Sequence, residues 1–179
     1  MSSNAFSGLR QLAMVVKDGD AAMHAWARAG IGPFLVVRNF EFQAYRYRGK
    51  PGPAPIVSLA FAQAGDLQVE VIVQHNSAPS AYTEFLAAGK EGCQHVAEWF
   101  GDNQHYDRRY AELSRLGFTC VHEGEGGPPT ARFSYWESGL PGGLMIELAE
   151  AQLPGVKVLP DMVRQASVDW DGTDPIRYL

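Results

Sequence analysis

The sequence predicts an α+β protein made of two copies of a βαβββ module, with a C-terminal tail beyond them. Three observations carry that prediction. Short apolar runs of strand character alternate with two helical stretches; the order of elements in the first half returns in the second; and polar residues recur at matching places in the two halves.

The first run, Leu9 to Lys17 (LRQLAMVVK), is short, partly β-branched and stopped by Asp18-Gly19, so it is expected as a buried strand. Asp18 or Asp20 caps a helix over Ala21 to Ala29, which ends at Gly30. Pro33 to Phe40 forms the second strand. Ile56 to Gln63 and Leu67 to Gln74 then form a hairpin about Ala64-Gly65-Asp66. After a helical stretch over Pro79 to Ala88 the order repeats, with a strand over Gln94 to Phe100 stopped by Gly101-Asp102. An amphipathic helix runs from Asn103 to Leu116, with Tyr106, Tyr110, Leu113 and Leu116 at helical spacing. Strands over Phe118 to His122, Ala131 to Glu137 and Gly143 to Ala149 follow. The expected units are residues 1–89, 90–150 and a C-terminal extension, 151–179, with a helix over Asp161 to Val168.

The halves align by hand. Gln11 stands seven positions before Asp18, as His95 does before Asp102; Glu70 lies five after Gly65, as Glu147 does after Gly142. The intervals Gln11 to Glu70 and His95 to Glu147 are 59 and 52 positions, a difference that a longer loop near Pro51 to Pro55 absorbs. The repeat therefore matches polar with polar: Gln11 with His95, and Glu70 with Glu147.

Strand side chains alternate between faces. Glu147 shares a face with Met145 and Ala149, and Glu70 with Ile72, while Leu144, Ile146, Leu148, Val69, Val71 and Val73 take the other faces. A carboxylate at the centre of such a strand is costly to bury without a neutralising partner. Either that face is open to water, or the carboxylates meet a cation. One imidazole, one carboxamide and two carboxylates form a ligand set for a divalent metal ion, and zinc, nickel, cobalt, manganese and iron all fit these donors. Of the other histidines, His24 and His105 fall on helices and His75 at a strand end, while His122 is placed to reach a pocket.

Composition narrows the partners. A formal charge of −5 argues against a phosphate-backbone partner, and 46% hydrophobic with 20% charged residues is the balance of a soluble globular protein. Arg46, Arg48 and Lys50 do cluster, with Pro51 and Pro53 after them, and are expected at a loop edge. No run approaches a membrane span, no secretory signal begins the chain, and Cys93 and Cys120 form no disulfide framework. The expectation is a cytoplasmic protein, a homodimer, binding a small molecule and neither nucleic acid nor membrane.

The stretches QLAMVVKD, LQVEV, GCQHVAEWFGD and PGGLMIELAE, taken in order over residues 8–150, resemble the vicinal oxygen chelate superfamily of glyoxalase I, methylmalonyl-CoA epimerase, extradiol dioxygenases and bleomycin-resistance proteins. The resemblance implies a cupped mixed sheet around a metal site, with Gln11, Glu70, His95 and Glu147 as ligands. It further implies Glu147 as the base and Glu70 as its partner across the substrate. The implied activity is that of a metal-dependent isomerase or lyase, moving a proton through a metal-stabilised enolate or enediolate. A basic pocket for a coenzyme A phosphate and a glutathione clamp are both missing from the pattern. Instead Phe34, Phe40, Phe42, Tyr45 and Tyr47, with Trp99, Phe133, Tyr135 and Trp136, point to an apolar or aromatic substrate; Phe34, Tyr45, Tyr47, Trp99, Phe133 and Tyr135 are its candidate contacts. The alternatives are a non-catalytic drug-sequestering module and an extradiol-type dioxygenase.

Overall fold

The computed structural model describes Phe6 and residues 8–179. The first module consists of β1 (Leu9–Val15), α1 (Gly19–Arg28), β2 (Phe34–Glu41), β5 (Ile56–Ala64) and β6 (Leu67–Gln74), with β3 (Gln43–Tyr47) and β4 (Lys50–Pro51) inserted between β2 and β5. The connecting helix α2 (Ala81–Ala87) leads to β7 (Gly92–Trp99), α3 (Asn103–Arg115), β8 (Thr119–Gly126), β9 (Ala131–Glu137) and β10 (Met145–Ala149). The tail adds α4 (Val158–Ser167) and β11 (Ile176–Tyr178). Among the described residues no helix is long and apolar enough to cross a membrane.

Local chemistry sets the helix starts. Asp18 accepts from the Ala21 amide at 2.9 Å, and Asp102 accepts from the His105 amide at 2.8 Å. Ser80 and Thr83 form a reciprocal capping box at the head of α2. The expected strand from Gly143 begins two residues later, because Pro141–Gly143 makes a 3₁₀ turn with Gly142 at φ +78°.

All strands join one sheet, ordered β11-β2-β5-β6-β1-β7-β10-β9-β8-β3-β4. In each module the first strand lies parallel to the last, β1 beside β6 and β7 beside β10. The modules meet through antiparallel pairing of β1 with β7. Reading outward from this seam, the first half runs β1-β6-β5-β2 and the second β7-β10-β9-β8, so the repeat in sequence is a repeat in space.

Phe42 alone separates β2, near one end of the sheet, from β3, which pairs with β8 at the other end. The sheet therefore curls into a cup. The basic cluster is not a loop edge, as expected, but the hairpin β3–β4, in which Arg46 faces Pro51 and Tyr47 faces Lys50. Its turn residues Arg48 and Gly49 both have positive φ, the geometry that suits two-residue hairpins. Arg48 grips Glu84 of α2 with two bonds of 2.8 and 2.9 Å and reaches Glu137 at 3.0 Å, tying hairpin, helix and β9 together.

The outer face of the sheet carries the helices. Met23 and Trp26 of α1 pack on Met14, Phe34, Val36, Val69 and Val71; Tyr106 and Leu113 of α3 pack on Phe100, Trp136 and Leu148. Inside the cup lie Ala13, Val15, Ile72, Tyr82, Phe133 and Tyr135, and α4 covers Leu35 and Phe61 with Val163.

One buried ion pair fixes β7 to α3. Arg109 donates to Glu98 Oε1 through Nε at 3.0 Å and Nη2 at 2.8 Å, and its Nη1 reaches Glu112 at 2.9 Å. Glu98 is wholly buried. Arg109→Met strips this carboxylate of its guanidinium and is expected to cost about 3–5 kcal/mol of stability. Urea unfolding checks this; a loss under about 1 kcal/mol shows that the pair is not a buried anchor.

Candidate metal centre and adjoining cavity

The seam between the modules assembles the site. Ala13 of β1 is paired on one side with Glu70 of β6 and on the other with His95 of β7. Glu147 of β10 pairs with Ala97, one strand farther along. Ligating atoms of Glu70, His95 and Glu147 all lie within 4.8 Å of one another, and all three residues are buried. His95 Nε2 lies 3.3 Å from a Glu147 oxygen and 3.7 Å from a Glu70 oxygen.

The orientation of His95 comes from a β-bulge. Ala13 pairs with His95 and Met14 with Cys93, which makes Gln94 the extra residue and turns its side chain into the interior. His95 Nδ1 donates to Gln94 Oε1 at 2.6 Å, while Gln94 Nε2 lies 3.3 Å from Met145 Sδ. This arrangement places the ring proton on Nδ1 and leaves Nε2 facing two carboxylates. That nitrogen is buried and has no hydrogen-bond partner, since neither carboxylate is aligned to bond it.

Two buried carboxylates beside a lone pair are electrostatically unfavourable without a positive charge. The titration behaviour reflects this. Burial, opposed by His95 and reinforced by Glu147, raises Glu70. Burial also pulls the His95 imidazole down, but Glu147 and Glu70 outweigh it and leave the ring at about 9. The site therefore attracts a proton when nothing else neutralises it. An imidazole and two carboxylates, with an unpartnered buried nitrogen aimed between them, also fit a divalent cation.

Gln11 is buried two residues before Ala13 and on the same face of β1. Its Nε2 donates to Gln68 Oε1 at 2.8 Å, which leaves its Oε1 as the donor atom available to a cation. With Glu70, Glu147 and Trp99 it lines a recess of about 170 Å³.

Glu70 and Glu147 also open onto a larger cavity of about 580 Å³. Phe40, Phe42, Leu59, Phe61 and Phe133 form apolar walls, and Tyr82 and Tyr135 add hydroxyls, the Tyr82 hydroxyl donating to that of Tyr135 at 3.0 Å. Burial raises both phenols well above 10, so they remain protonated donors.

The candidate contact residues divide. Phe133 and Tyr135 line the cavity, and Trp99 lines the recess. Tyr45 is buried inside the cup, but its hydroxyl is bonded to Pro79 O and to His122. Tyr47 bonds Glu84 instead. Phe34 is a correction: strand alternation turns it to the outer face under α1, with Leu35 and Val37 turned inward. Trp136 likewise packs under α3. Gln94 and Tyr82 were missed. The bulge that buries Gln94 and the tertiary placement of α2 leave no mark in local periodicity.

The model of the glyoxalase/bleomycin resistance protein/dioxygenase superfamily matches residues 10–135, more than half of the chain. The chain belongs to this superfamily. Gln11, Glu70 and His95 of this vicinal oxygen chelate protein fall within the matched region, while Glu147 and the tail lie beyond it. Its fold is similar to that of methylmalonyl-CoA epimerase from Mycobacterium tuberculosis, at 18% identity and TM-score 0.53, over 89% of this chain and 96% of the other. It is also similar to a hypothetical protein from Bacillus halodurans C-125, at 14% identity and TM-score 0.53, over 79% and 92% of the two chains. No curated protein matches the chain significantly. Membership implies small-molecule ligands for this vicinal oxygen chelate protein, and its buried Glu70, His95 and Glu147 are positioned to hold a metal.

Two residues beside the candidate metal centre can be tested directly. Gln94→Leu releases the ring of His95, and the affinity for a divalent ion is expected to fall about 10–100-fold. Competition against a chromophoric chelator measures this, and unchanged affinity removes Gln94 from the orienting role. His122 is buried and neutral: burial first, then the nearby His95, pushes it down to about 3. The unfolded chain binds that proton near pH 6.5, so stability is lost as pH falls below this value. Between pH 7 and pH 5 this group is expected to cost roughly 2 kcal/mol. His122→Asn should flatten the dependence by that amount in urea titrations at the two pH values; an equal slope in both proteins refutes it.

Proposed function

We propose that this protein is a metal-dependent isomerase or lyase that moves a proton at the carbon beside a carbonyl or hydroxyl of a small, largely apolar substrate. The observation that supports this reading best is the buried Glu70/His95/Glu147 cluster opening onto an apolar cavity. Gln11, Glu70, His95 and Glu147 would hold one divalent ion, whose Lewis acidity would stabilise negative charge on a substrate oxygen as the adjacent carbon ionises.

The chain's own groups supply the rest. Glu147 reaches both the cluster and the cavity and is the candidate base, taking the proton onto a carboxylate oxygen. Glu70 also borders the cavity and is the candidate partner for returning the proton from another side. Tyr135 receives the Tyr82 hydrogen bond, so its own hydroxyl proton is free to orient a substrate oxygen. The aromatic and aliphatic walls exclude water and strengthen these contacts. One imidazole with two carboxylates, rather than two imidazoles with one, favours proton transfer over oxygen activation.

The test is deuterium incorporation from solvent into candidate α-hydroxy carbonyl, 2-oxo and thioester compounds, with metal analysis of the same preparations. The wild type is expected to carry about one divalent ion per chain. Glu147→Gln should slow exchange by about 10²–10⁴-fold with the fold intact. Exchange that persists in Glu147→Gln rules that residue out as the base, and a protein that takes up no divalent ion ends the metal-dependent reading.

A further inference from the structure

The cavity owes one wall to the segment after the repeat. Val156, Val158, Leu159 and Met162, in and just before α4, line it together with Leu179 at the end of the described chain. Val158, Met162 and Leu179 remain 55%, 44% and 59% exposed among the described residues, so apolar surface is concentrated at this rim. The wall is nevertheless fixed in place. Val163 is fully buried against Leu35 and Phe61, β11 pairs with β2, the Leu179 amide donates to Val36 O at 3.0 Å, and the Arg38 guanidinium sits 3.8 Å over the Tyr178 ring.

Charge in the cavity runs against anions. Among the described lining residues the cation is Arg132, which is committed to Glu150 at 2.6 and 3.1 Å and to Asp107 at 2.7 Å. Glu150 is balanced by that same Arg132, and Glu70 and Glu147 belong to the metal centre, so among the described lining residues no cationic side chain is left over for a charge on the ligand. A phosphate or carboxylate buried on the body of a ligand would find no counter-charge there. The volume, about 580 Å³, lies within the roughly 300–1,000 Å³ typical of preformed small-molecule sites.

We infer that the C-terminal segment is part of the binding site and selects an uncharged ligand: two neighbouring oxygens at one end and an unbranched or aromatic apolar body lying along α4. This rests on the metal centre proposed above. The ligand is thereby a free compound rather than one carried on a phosphate-bearing handle. Its apolar body, not a charged group, supplies the affinity, and Met162 and Val158 meet that body at the rim.

The experiment uses the cobalt-loaded protein and hydroxamic acids, whose two oxygens chelate the ion while the chain is varied. The visible absorption of cobalt reports binding. Acetohydroxamate should perturb the spectrum, and octanohydroxamate, about six methylenes longer, should bind on the order of a thousandfold tighter, at about fourfold per buried methylene. An octanoyl chain ending in a carboxylate should lose that gain. Met162→Asp, at an exposed position, should cut the gain at least tenfold while leaving acetohydroxamate unchanged.

If cobalt binds but acetohydroxamate leaves its spectrum untouched, the vicinal-oxygen metal site itself is wrong. If acetohydroxamate binds and chain length adds nothing, or the carboxylate-tipped chain binds as well, the metal site stands and the apolar selection falls. A full gain retained in Met162→Asp overturns the part given to the C-terminal wall.

Discussion

The antiparallel pairing of β1 with β7 is the interaction on which the rest depends. It joins the first strands of the two modules, while β3 and β8 join them again at the far end of the sheet, and it sets Glu70 and His95 on either side of Ala13, with Glu147 one strand beyond β7. A slip of one residue in this register would turn every side chain of one strand to the opposite face. His95 would then lie under a helix and the cluster would vanish. Register here is a functional quantity, and it is held by the apolar alternation of both strands, by the buried Arg109–Glu98 anchor behind β7 and by the cavity side chains in front.

That arrangement stores electrostatic tension. Removing a carboxylate from water costs several kcal/mol, and two of them sit together beside an imidazole. Protein stability alone gains nothing from such a cluster, since apolar residues of similar volume would pack better. The tension is resolved when a cation or proton enters, which fits a cluster that could hold a metal ion. The bulge at Gln94 points the same way. It sacrifices one regular ladder position to aim the imidazole, a local irregularity of the kind found where a side chain must be redirected.

The cup and its tail divide the remaining work. The β2–β3 crossover brings the two ends of the sheet together, so that aromatic residues from both halves, Phe40, Phe42, Phe61 and Phe133, meet around one cavity. Curvature makes the pocket, and the C-terminal segment closes one side of it. Donors at the seam that could hold a metal and the apolar walls of the cavity thus lie side by side in one cup.

The sequence by itself determined the module order, the strand faces and the matched polar pairs, because alternation, capping residues and the internal repeat are local properties written into neighbouring positions. Glu70, His95 and Glu147 were legible for that reason: a polar residue recurring at the same place in a buried strand breaks the pattern visibly. Tertiary structure alone decided what depends on distant segments meeting. Gln94 is buried by a bulge that only the register of two strands creates, and Tyr82 reaches Tyr135 because α2 folds across the cup. The β3–β4 hairpin forms against β8, far away in sequence, and Phe34, one aromatic among many in its stretch, was sent to the outer face by the phase of β2. Such choices follow from the packing free energy of the whole cup, which no short window of residues contains.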